Sequence, residues 1–340
     1  MTIDLAIVVP ARNAASTLPR CLSALRRAVS PGTPIIVVDD GSTDATATVA
    51  REAGALVRRF DRAGGPARAR NAGAAMATAP IVLFVDADVV VAPDAAARVR
   101  AAFAADPGLA AVFGSYDATP AAGTLVSDYR NLLHHFVHQQ ARADSRSFWA
   151  GLGAVRRQVL QRCGGFDERF DRPAIEDIEL GARIAAAGHR IRLDHHLRGT
   201  HLKRWTLGDV VRTDVLARAR PWSLLLLRDR TLPRDLNLQP RHRASGLLVW
   251  VAPLLAAAAV AAPRWRGPLM LGAAGAAVGL ALLNLDFYRF LARQRGIVFA
   301  AASYPLHALY YACASATFAW CCIEHLAGRL PWRRSSVSVR

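Results

Sequence analysis

The chain predicts an α/β fold, a doubly wound and mostly parallel sheet followed by C-terminal transmembrane helices. Two acidic clusters closing apolar runs are the first sign. Ile35-Ile36-Val37-Val38 runs into Asp39-Asp40-Gly41-Ser42-Thr43-Asp44, and Ile81-Val82-Leu83-Phe84-Val85 runs into Asp86-Ala87-Asp88. Such runs, ended by carboxylates and turn formers, read as central strands delivering acidic groups to the carboxyl edge of a parallel sheet, where open α/β sheets bind ligands. The second sign is the alternation of strand and helix patterns around them, and the third is a set of uncharged apolar stretches after residue 244.

Taken in order, residues 3–9 form a first strand ending at Pro10-Ala11-Arg12-Asn13, and Leu18, Leu22, Leu25 and Val29 give residues 16–30 a helical face. The second strand ends at Asp39, and Ser42-Thr43-Asp44 offers an N-cap to a helix through Ala53. A short strand at 55–58 precedes Gly64-Gly65-Pro66, which starts a helix that Pro80 closes. A strand at 81–85, a helix at 93–104 and a strand at 109–113 follow. This order calls for right-handed crossovers. From 124 to 200 the pattern loosens into helices around loops. Ser147 to Ala154 reads as a strand with a small-residue turn, Gly164-Gly165-Phe166-Asp167-Glu168 as a turn, and Ile175-Glu176-Asp177 opens a helix to Ala187.

Length and composition allow about two domains. The boundaries fall at 1–205 for a catalytic domain, 206–244 for an amphipathic, arginine-studded interface segment, 245–325 for a membrane region of two to three helices, and 326–340 for a basic tail. Residues 246–262, 267–285 and 297–323 hold no charge. At 1.5 Å per residue they reach about 25–40 Å, which matches a hydrocarbon core of about 30 Å. Arginines before the first stretch (Arg228, Arg230, Arg234, Arg241, Arg243) and between the second and third (Arg289, Arg293, Arg295) place the catalytic domain in the cytoplasm of a multi-pass inner-membrane protein. Three full crossings would leave Arg329, Arg333, Arg334 and Arg340 outside, so one stretch is expected to be re-entrant or interfacial, with 297–323, interrupted by Pro305 and His307, the first candidate.

Lysine and arginine total 43 against 26 acidic residues, a net charge of +17. The excess points to anionic partners, either nucleotide diphosphates or acidic lipids. Nucleic acid is not expected, because no helix-turn-helix, zinc-finger or RNP-like pattern is present. Five cysteines, at 21, 163, 313, 321 and 322, show neither metal spacing nor a disulfide framework. The start has no basic region followed by an apolar one, so no signal peptide is expected. Pro10-Ala11-Arg12-Asn13 after the first strand replaces the Gly-x-Gly-x-x-Gly of a dinucleotide-binding dehydrogenase.

The residues themselves suggest a chemistry. Asp86 and Asp88, one small residue apart, can face a single Mg²⁺ or Mn²⁺ bridged to a diphosphate. Asp39 or Asp40 can accept from a base N–H or a ribose hydroxyl, with Arg12 and Asn13 on the neighbouring loop. Arg68 and Arg70 at a helix start suit phosphate oxygens. Asp177 can take the proton of an attacking hydroxyl, or Glu176 can be the working carboxylate while Asp177 caps its helix. Gly151 and Gly153 shape either an acceptor floor or only a turn.

Six segments in order resemble glycosyltransferase family 2 enzymes with the GT-A fold. They are Val9-Pro10-Ala11-Arg12-Asn13, Val38 to Asp44, Arg68-Ala69-Arg70-Asn71-Ala72-Gly73, Asp86-Ala87-Asp88, Gly164 to Glu168, and Glu176-Asp177. The resemblance covers residues 3–205. It implies a metal-dependent inverting transferase, moving a sugar from a nucleotide-diphosphate donor, most often a UDP-sugar, to a lipid-linked or membrane-associated acceptor. Donor contacts are implied for Pro10, Arg12, Asn13, Asp39, Asp40, Arg68, Arg70, Asn71, Asp86 and Ala87. Metal contacts are implied for Asp88, Asp86 and His201, and the acceptor base at Asp177 beside Glu176. Lys203, Arg204 and Trp205, with Gly151 and Gly153, are implied near the acceptor and diphosphate. Processive polysaccharide synthases of this fold carry Gln-x-x-Arg-Trp where this chain has His201-Leu202-Lys203-Arg204-Trp205, which ranks a synthase below a single-sugar transferase. A nucleotide-sugar-binding scaffold without turnover is the remaining alternative.

Overall fold

The computed structural model describes residues 4–229 and 239–328. Arg230, Arg234 and the tail beyond residue 328, with Arg329, Arg333, Arg334 and Arg340, therefore lie outside the described residues. The chain divides into two compact units, Met1–Trp205 and Thr206–Arg340.

In the first unit the order is β1 (Leu5–Ala11), α1 (Leu18–Ala28), β2 (Ile35–Asp39), α2 (Thr46–Glu52), β3 (Leu56–Arg59), α3 (Pro66–Met76), β4 (Ile81–Val85), β5 (Val89–Val91), α4 (Ala95–Ala105), β6 (Leu109–Tyr116), α5 (Leu125–Gln140), β7 (Asp144–Ser145), β8 (Leu152–Arg156), α6 (Arg157–Arg162), α7 (Glu176–Ala186) and β9 (Arg190–His201). The strands form one sheet in the order β3-β2-β1-β4-β8-β6-β9-β5, with β7 paired to β9. β3, β2, β1 and β4 are mutually parallel, and β8 enters antiparallel to both β4 and β6. The expected parallel half is present, while the second half is mixed.

The all-apolar strands are central because both their faces are covered. Ile7, Val9, Val37 and Leu83 pack on one face against Leu18, Leu22 and Leu25 of α1, Ala50 of α2 and Val99 and Phe103 of α4. Each such large side chain taken out of water contributes about 1.5–3 kcal/mol. On the opposite face α3 lies so close to β1 that a Cβ on Gly73 would stand 2.3 Å from Val8 Cγ1. That close approach holds the start of α3 beside the carboxyl ends of β1 and β2.

The Ser42-Thr43-Asp44 cluster caps α2 through Asp44, whose Oδ1 accepts the Thr46 amide at 3.0 Å. Ser42 Oγ accepts the Asn13 amide and Thr46 Oγ1 the Ala14 amide, which ties the β1 and β2 loops together. One local reading changes. β9, twelve residues long, replaces the loops expected before residue 200. Its buried Ile191, Leu193, Leu197 and His201 alternate only in part, because the pairing with β6 slips between Phe113 and Ser115.

In the second unit, α8 (Leu207–Arg212) continues through a π-helical stretch, Thr213–Ala219, into α9 (Arg220–Asp229). Then come α10 (Pro240–Leu248), α11 (Val251–Ala261), α12 (Arg266–Leu283), α13 (Leu285–Arg295), α14 (Ile297–Ala302) and α15 (Tyr304–Leu326). Three helical stretches, Pro240–Ala261, Pro263–Leu283 and Ile297–Leu326, are long and apolar enough to cross a membrane. All five cysteines are free.

Candidate active site

β4 ends at Val85 and delivers Asp86 and Asp88 into a short turn before β5. Main-chain bonds fix both. The Asp86 amide donates to Gly151 O at 3.1 Å, and the Leu202 amide donates to Asp88 O at 2.8 Å. The second bond extends the antiparallel pairing of Val89 with His201. His201 Nε2 thereby stands 3.3 Å from Asp88 Oδ2, and its Nδ1 donates to Asn131 Oδ1 at 2.8 Å. Tyr116 stacks on the imidazole at 4.2 Å between centroids and 8° between planes.

Protonated, Nε2 donates to Asp88; neutral, with Nδ1 donating to Asn131, it turns a lone pair toward the carboxylate, and the two would then hold a cation between them. Adjacent ligands of an octahedral ion bound at about 2.1 Å lie about 3.0 Å apart, so the observed spacing suits Mg²⁺ or Mn²⁺. Among the described residues no three His, Cys, Asp or Glu side chains close into a metal-holding set. Such an ion would fill its remaining positions with water and phosphate oxygens, as Mg²⁺ does. Burial acts to raise the proton affinity of Asp88, yet the hydrogen bond and charge of His201 and the charge of Lys203 outweigh it and hold Asp88 below the ordinary value.

Asp86 is directed elsewhere. Its Oδ1 accepts Arg70 Nη2 at 2.8 Å, and Arg70 Nη1 donates to Glu176 Oε1 at 2.7 Å. Arg70 and Glu176 side chains are 5% exposed. This guanidinium is therefore an internal bridge between two carboxylates, with its Nε buried and without a hydrogen-bond partner. Burial raises the Asp86 proton affinity, Arg70 opposes the shift, and the charge of Asp88 adds to it.

Glu176 Oε2 accepts the Ala174 amide at 2.9 Å, which leaves neither oxygen of Glu176 free of a partner. Asp177, half-buried at the start of α7, accepts the Ala150 amide on Oδ2 at 3.0 Å and its neighbour Ile178 on Oδ1. Burial, and then the charge of Glu176, raise its pKa to about 7. Of the two carboxylates, Asp177 is the one whose proton affinity is raised toward neutrality, the range a general base needs.

The β2 end divides its two aspartates. Asp39 Oδ1 accepts the Ser42 amide at 2.9 Å, whereas Oδ2 is buried without a hydrogen-bond partner, with Arg59 Nε at 3.5 Å. Asp40 accepts the Gly64 and Gly65 amides, both at 2.8 Å, and so fastens the loop before α3. Asn71 clamps the turn at Phe166 through its carbonyl and amide groups. Asn13 accepts the Thr43 amide, and Arg68 covers the Phe60 ring at 3.7 Å. Pro10 is half-buried, Ala87 buried, and Arg12 exposed. Among the expected donor contacts, Asp40 and Asn71 thus have structural partners, whereas Asp39 Oδ2 and Arg70 Nε are buried without a hydrogen-bond partner, the former beside the Arg59 cation.

Gly151 and Gly153 leave no room for side chains. A Cβ on Gly151 would lie 2.4 Å from the Trp149 indole, and one on Gly153 would lie 2.3 Å from Trp149 O. Trp149, which the sequence did not single out, is wedged against Tyr116 and His134. Lys203 Nζ lies 3.9 Å from the Trp205 ring centroid, and Arg204 is exposed.

The family described as Glycosyl transferase family 2 matches residues 6–164. An uncharacterized glycosyltransferase of Mycobacterium bovis (strain ATCC BAA-935 / AF2122/97) is 33% identical over 193 residues, covering 54% of this chain and 80% of that protein. The chain belongs to glycosyl transferase family 2. Validoxylamine A glucosyltransferase of Streptomyces hygroscopicus subsp. jinggangensis (strain 5008) is 31% identical over 218 residues, which cover 54% of this chain. The match takes in about half of that relative, 52% of its length. The solved mannosyltransferase PcManGT from Pyrobaculum calidifontis, in complex with GDP-Man and Mn²⁺, superposes with a TM-score of 0.59 at 20% identity, covering 97% of this chain and 89% of that one. The likeness establishes the GT-A fold. The family match contains Asp39, Arg70, Asp86 and Asp88, whereas Glu176, Asp177 and His201 lie beyond it.

Proposed function

We propose that the chain is a metal-dependent inverting glycosyltransferase, moving a sugar from a nucleotide diphosphate to a lipid-linked or membrane-associated acceptor. The observation that carries this reading is the convergence of a carboxylate–imidazole pair, Asp88 with His201 at 3.3 Å, and a carboxyl group whose pKa is raised to about 7, Asp177, on the same end of one sheet. Family membership supports the nucleotide-sugar donor, and the GDP-Man and Mn²⁺ of the Pyrobaculum protein agree with it. UDP is the first nucleotide to test because it is the family's most frequent one.

In this mechanism Asp39 Oδ2 accepts a hydrogen bond from the base or ribose. Asp88 and His201 would hold the cation, which supplies charge to offset that developing on the departing diphosphate. Asp177 takes the proton of the acceptor hydroxyl as its oxygen attacks the anomeric carbon. The bond to the diphosphate breaks on the opposite side, inverting the configuration, and the nucleoside diphosphate leaves. Arg70 holds Asp86 and Glu176 in place through the step, and the Ala150 amide keeps Asp177 oriented. The apolar helices support a bilayer location, where a lipid-borne acceptor concentrates.

The test is mass spectrometry of lipid extracts incubated with the full-length chain, a nucleotide-sugar panel and Mg²⁺ or Mn²⁺. A lipid heavier by one sugar, dependent on the cation and absent with Asp177→Asn, is expected. Full activity of Asp177→Asn, or long polymer products, would overturn the assignment.

A further inference from the structure

The long apolar helices of the second unit do not meet as three successive crossings. Leu255 faces Gly272, Leu248 faces Gly279, and Ser245 Oγ accepts from Asn284 Nδ2 at 2.9 Å. Numbers rise in one partner as they fall in the other, so Pro240–Ala261 and Pro263–Leu283 form an antiparallel hairpin with Ser245 and Asn284 at its open end.

A third crossing would run antiparallel to the second, and its contacts would follow the same falling order. They do not. Tyr304 donates to Ala277 O and Tyr311 to Asn284 Oδ1, so the numbers rise together along α12. They also rise together along α10 and into α11, where His242 Nδ1 meets the Tyr311 hydroxyl and Trp250 Nε1 donates to Ser315 Oγ. Gly246 allows the close approach, since a Cβ there would lie 3.4 Å from Ser315 Cβ. A continuous helix cannot run parallel to both members of an antiparallel pair. Laid across the pair, it meets each only where it passes.

Past the hairpin, α15 reaches α9, and Arg220 Nη2 pairs with Glu324 Oε2 at 3.2 Å. α9 precedes Pro240 in the chain, so Glu324 lies on the side from which the first apolar helix departs. An ion pair there sits at the head groups and avoids the cost of charges in hydrocarbon.

We propose that α15 lies along the membrane interface and does not pierce the bilayer, so that the chain crosses twice. Its outward residues Phe318, Trp320, Ile323 and Leu326 are exposed and form the surface that contacts lipid. The partner is an anionic bilayer face, because the exposed Arg212, with Arg218, Arg241 and Arg243, accompanies this end of the unit. The buried knot of His242, Ser245, Asn284 and Tyr311 then falls at head-group depth, where polar groups are tolerated.

This inference rests on the membrane reading above but not on sugar transfer, so an inactive chain still reports on it. The experiment is limited trypsin digestion of the native full-length protein in sealed right-side-out and inverted vesicles, with cleavage sites read by mass spectrometry. Cleavage after Arg264 or Arg266 is expected from one face only. Cleavage after Arg329 or Arg333 is expected from the other face, together with sites in residues 1–205. Should Arg264 and Arg266 resist trypsin, an epitope inserted after Ala262 reports the same face to an impermeant antibody. Cleavage after Arg329 from the same face as Arg264 means three crossings and overturns the proposal. Reaching all sites from one face means that the hairpin does not cross, and overturns it equally.

Discussion

Asp177 Oδ2 accepts the Ala150 amide at 3.0 Å, so the carboxyl group leans on the same short loop whose next residue, Gly151, holds the Asp86 amide. Proton acceptor and acidic turn are thus registered against one segment of backbone, and movement at either end is felt at the other.

The first prediction concerns pH. Burial and Glu176 raise the Asp177 pKa to about 7, and a base works only when deprotonated. Turnover should therefore climb through an apparent pKa near 7 and level off above it. Asp177→Asn should lower kcat by about 10²–10⁴-fold. A profile that is flat from pH 5.5 to 8.5 would remove Asp177 from the role of base.

His201→Ala should raise the Mn²⁺ concentration needed for half-maximal activity by about 10–100-fold, and Asn131→Ala should do so more weakly by freeing the imidazole. Titration of activity against Mn²⁺ measures both. An unchanged metal requirement in His201→Ala would leave Asp88 without its proposed partner.

Asp39→Asn removes the charge and replaces a buried acceptor that has no hydrogen-bond donor, Oδ2, with an amide. If that oxygen receives a hydrogen bond from the nucleoside, calorimetry should show nucleoside diphosphate binding weakened by about 10–150-fold, the equivalent of a charged hydrogen bond.

Arg70→Met should act first on stability. It leaves buried Glu176 and part-buried Asp86 without their shared cation, a change that costs about 3–5 kcal/mol when a buried pair is broken. Chemical denaturation followed by intrinsic fluorescence reads it. Combining Arg70→Met with Glu176→Gln should recover part of the loss, because the remaining group is then neutral.

Gly65→Ala should also destabilise. Gly65 has φ of +92°, and a Cβ there would stand 2.5 Å from the Asp171 carbonyl carbon, so strain and collision combine. A loss of about 1–3 kcal/mol is expected from backbone strain alone. The Asp40 clamp on the Gly65 amide should loosen with it.

Much of the first half of the sheet is legible in the chain because its strands are uninterrupted apolar runs and its acidic ends are local. Asp86 and Asp88 stand out in the sequence for the same reason. That Arg70 bridges two carboxylates was not legible, because a guanidinium at a helix start looks alike whether phosphate or carboxylate lies in front of it. The difference arises from Glu176, which is near only in space. The partners of Asp40 and Asn71 at Gly64, Gly65 and Phe166 were hidden in the same way. β9 was missed because His195 and His196 interrupt the alternation that Arg190, Ile191, Arg192, Leu193 and Asp194 begin, and because Gly199 follows in place of a large apolar residue. Trp149 carried no signal beyond its neighbouring glycines.

The pairing of Val89 with His201 has a consequence for biosynthesis. Until the ribosome has passed the codon for residue 201, the growing polypeptide has the acidic turn but lacks the imidazole that faces it. Cation capture would therefore become possible only as the segments leading into the bilayer begin to be made, so that the nascent chain acquires its chemistry at about the time that it acquires its address.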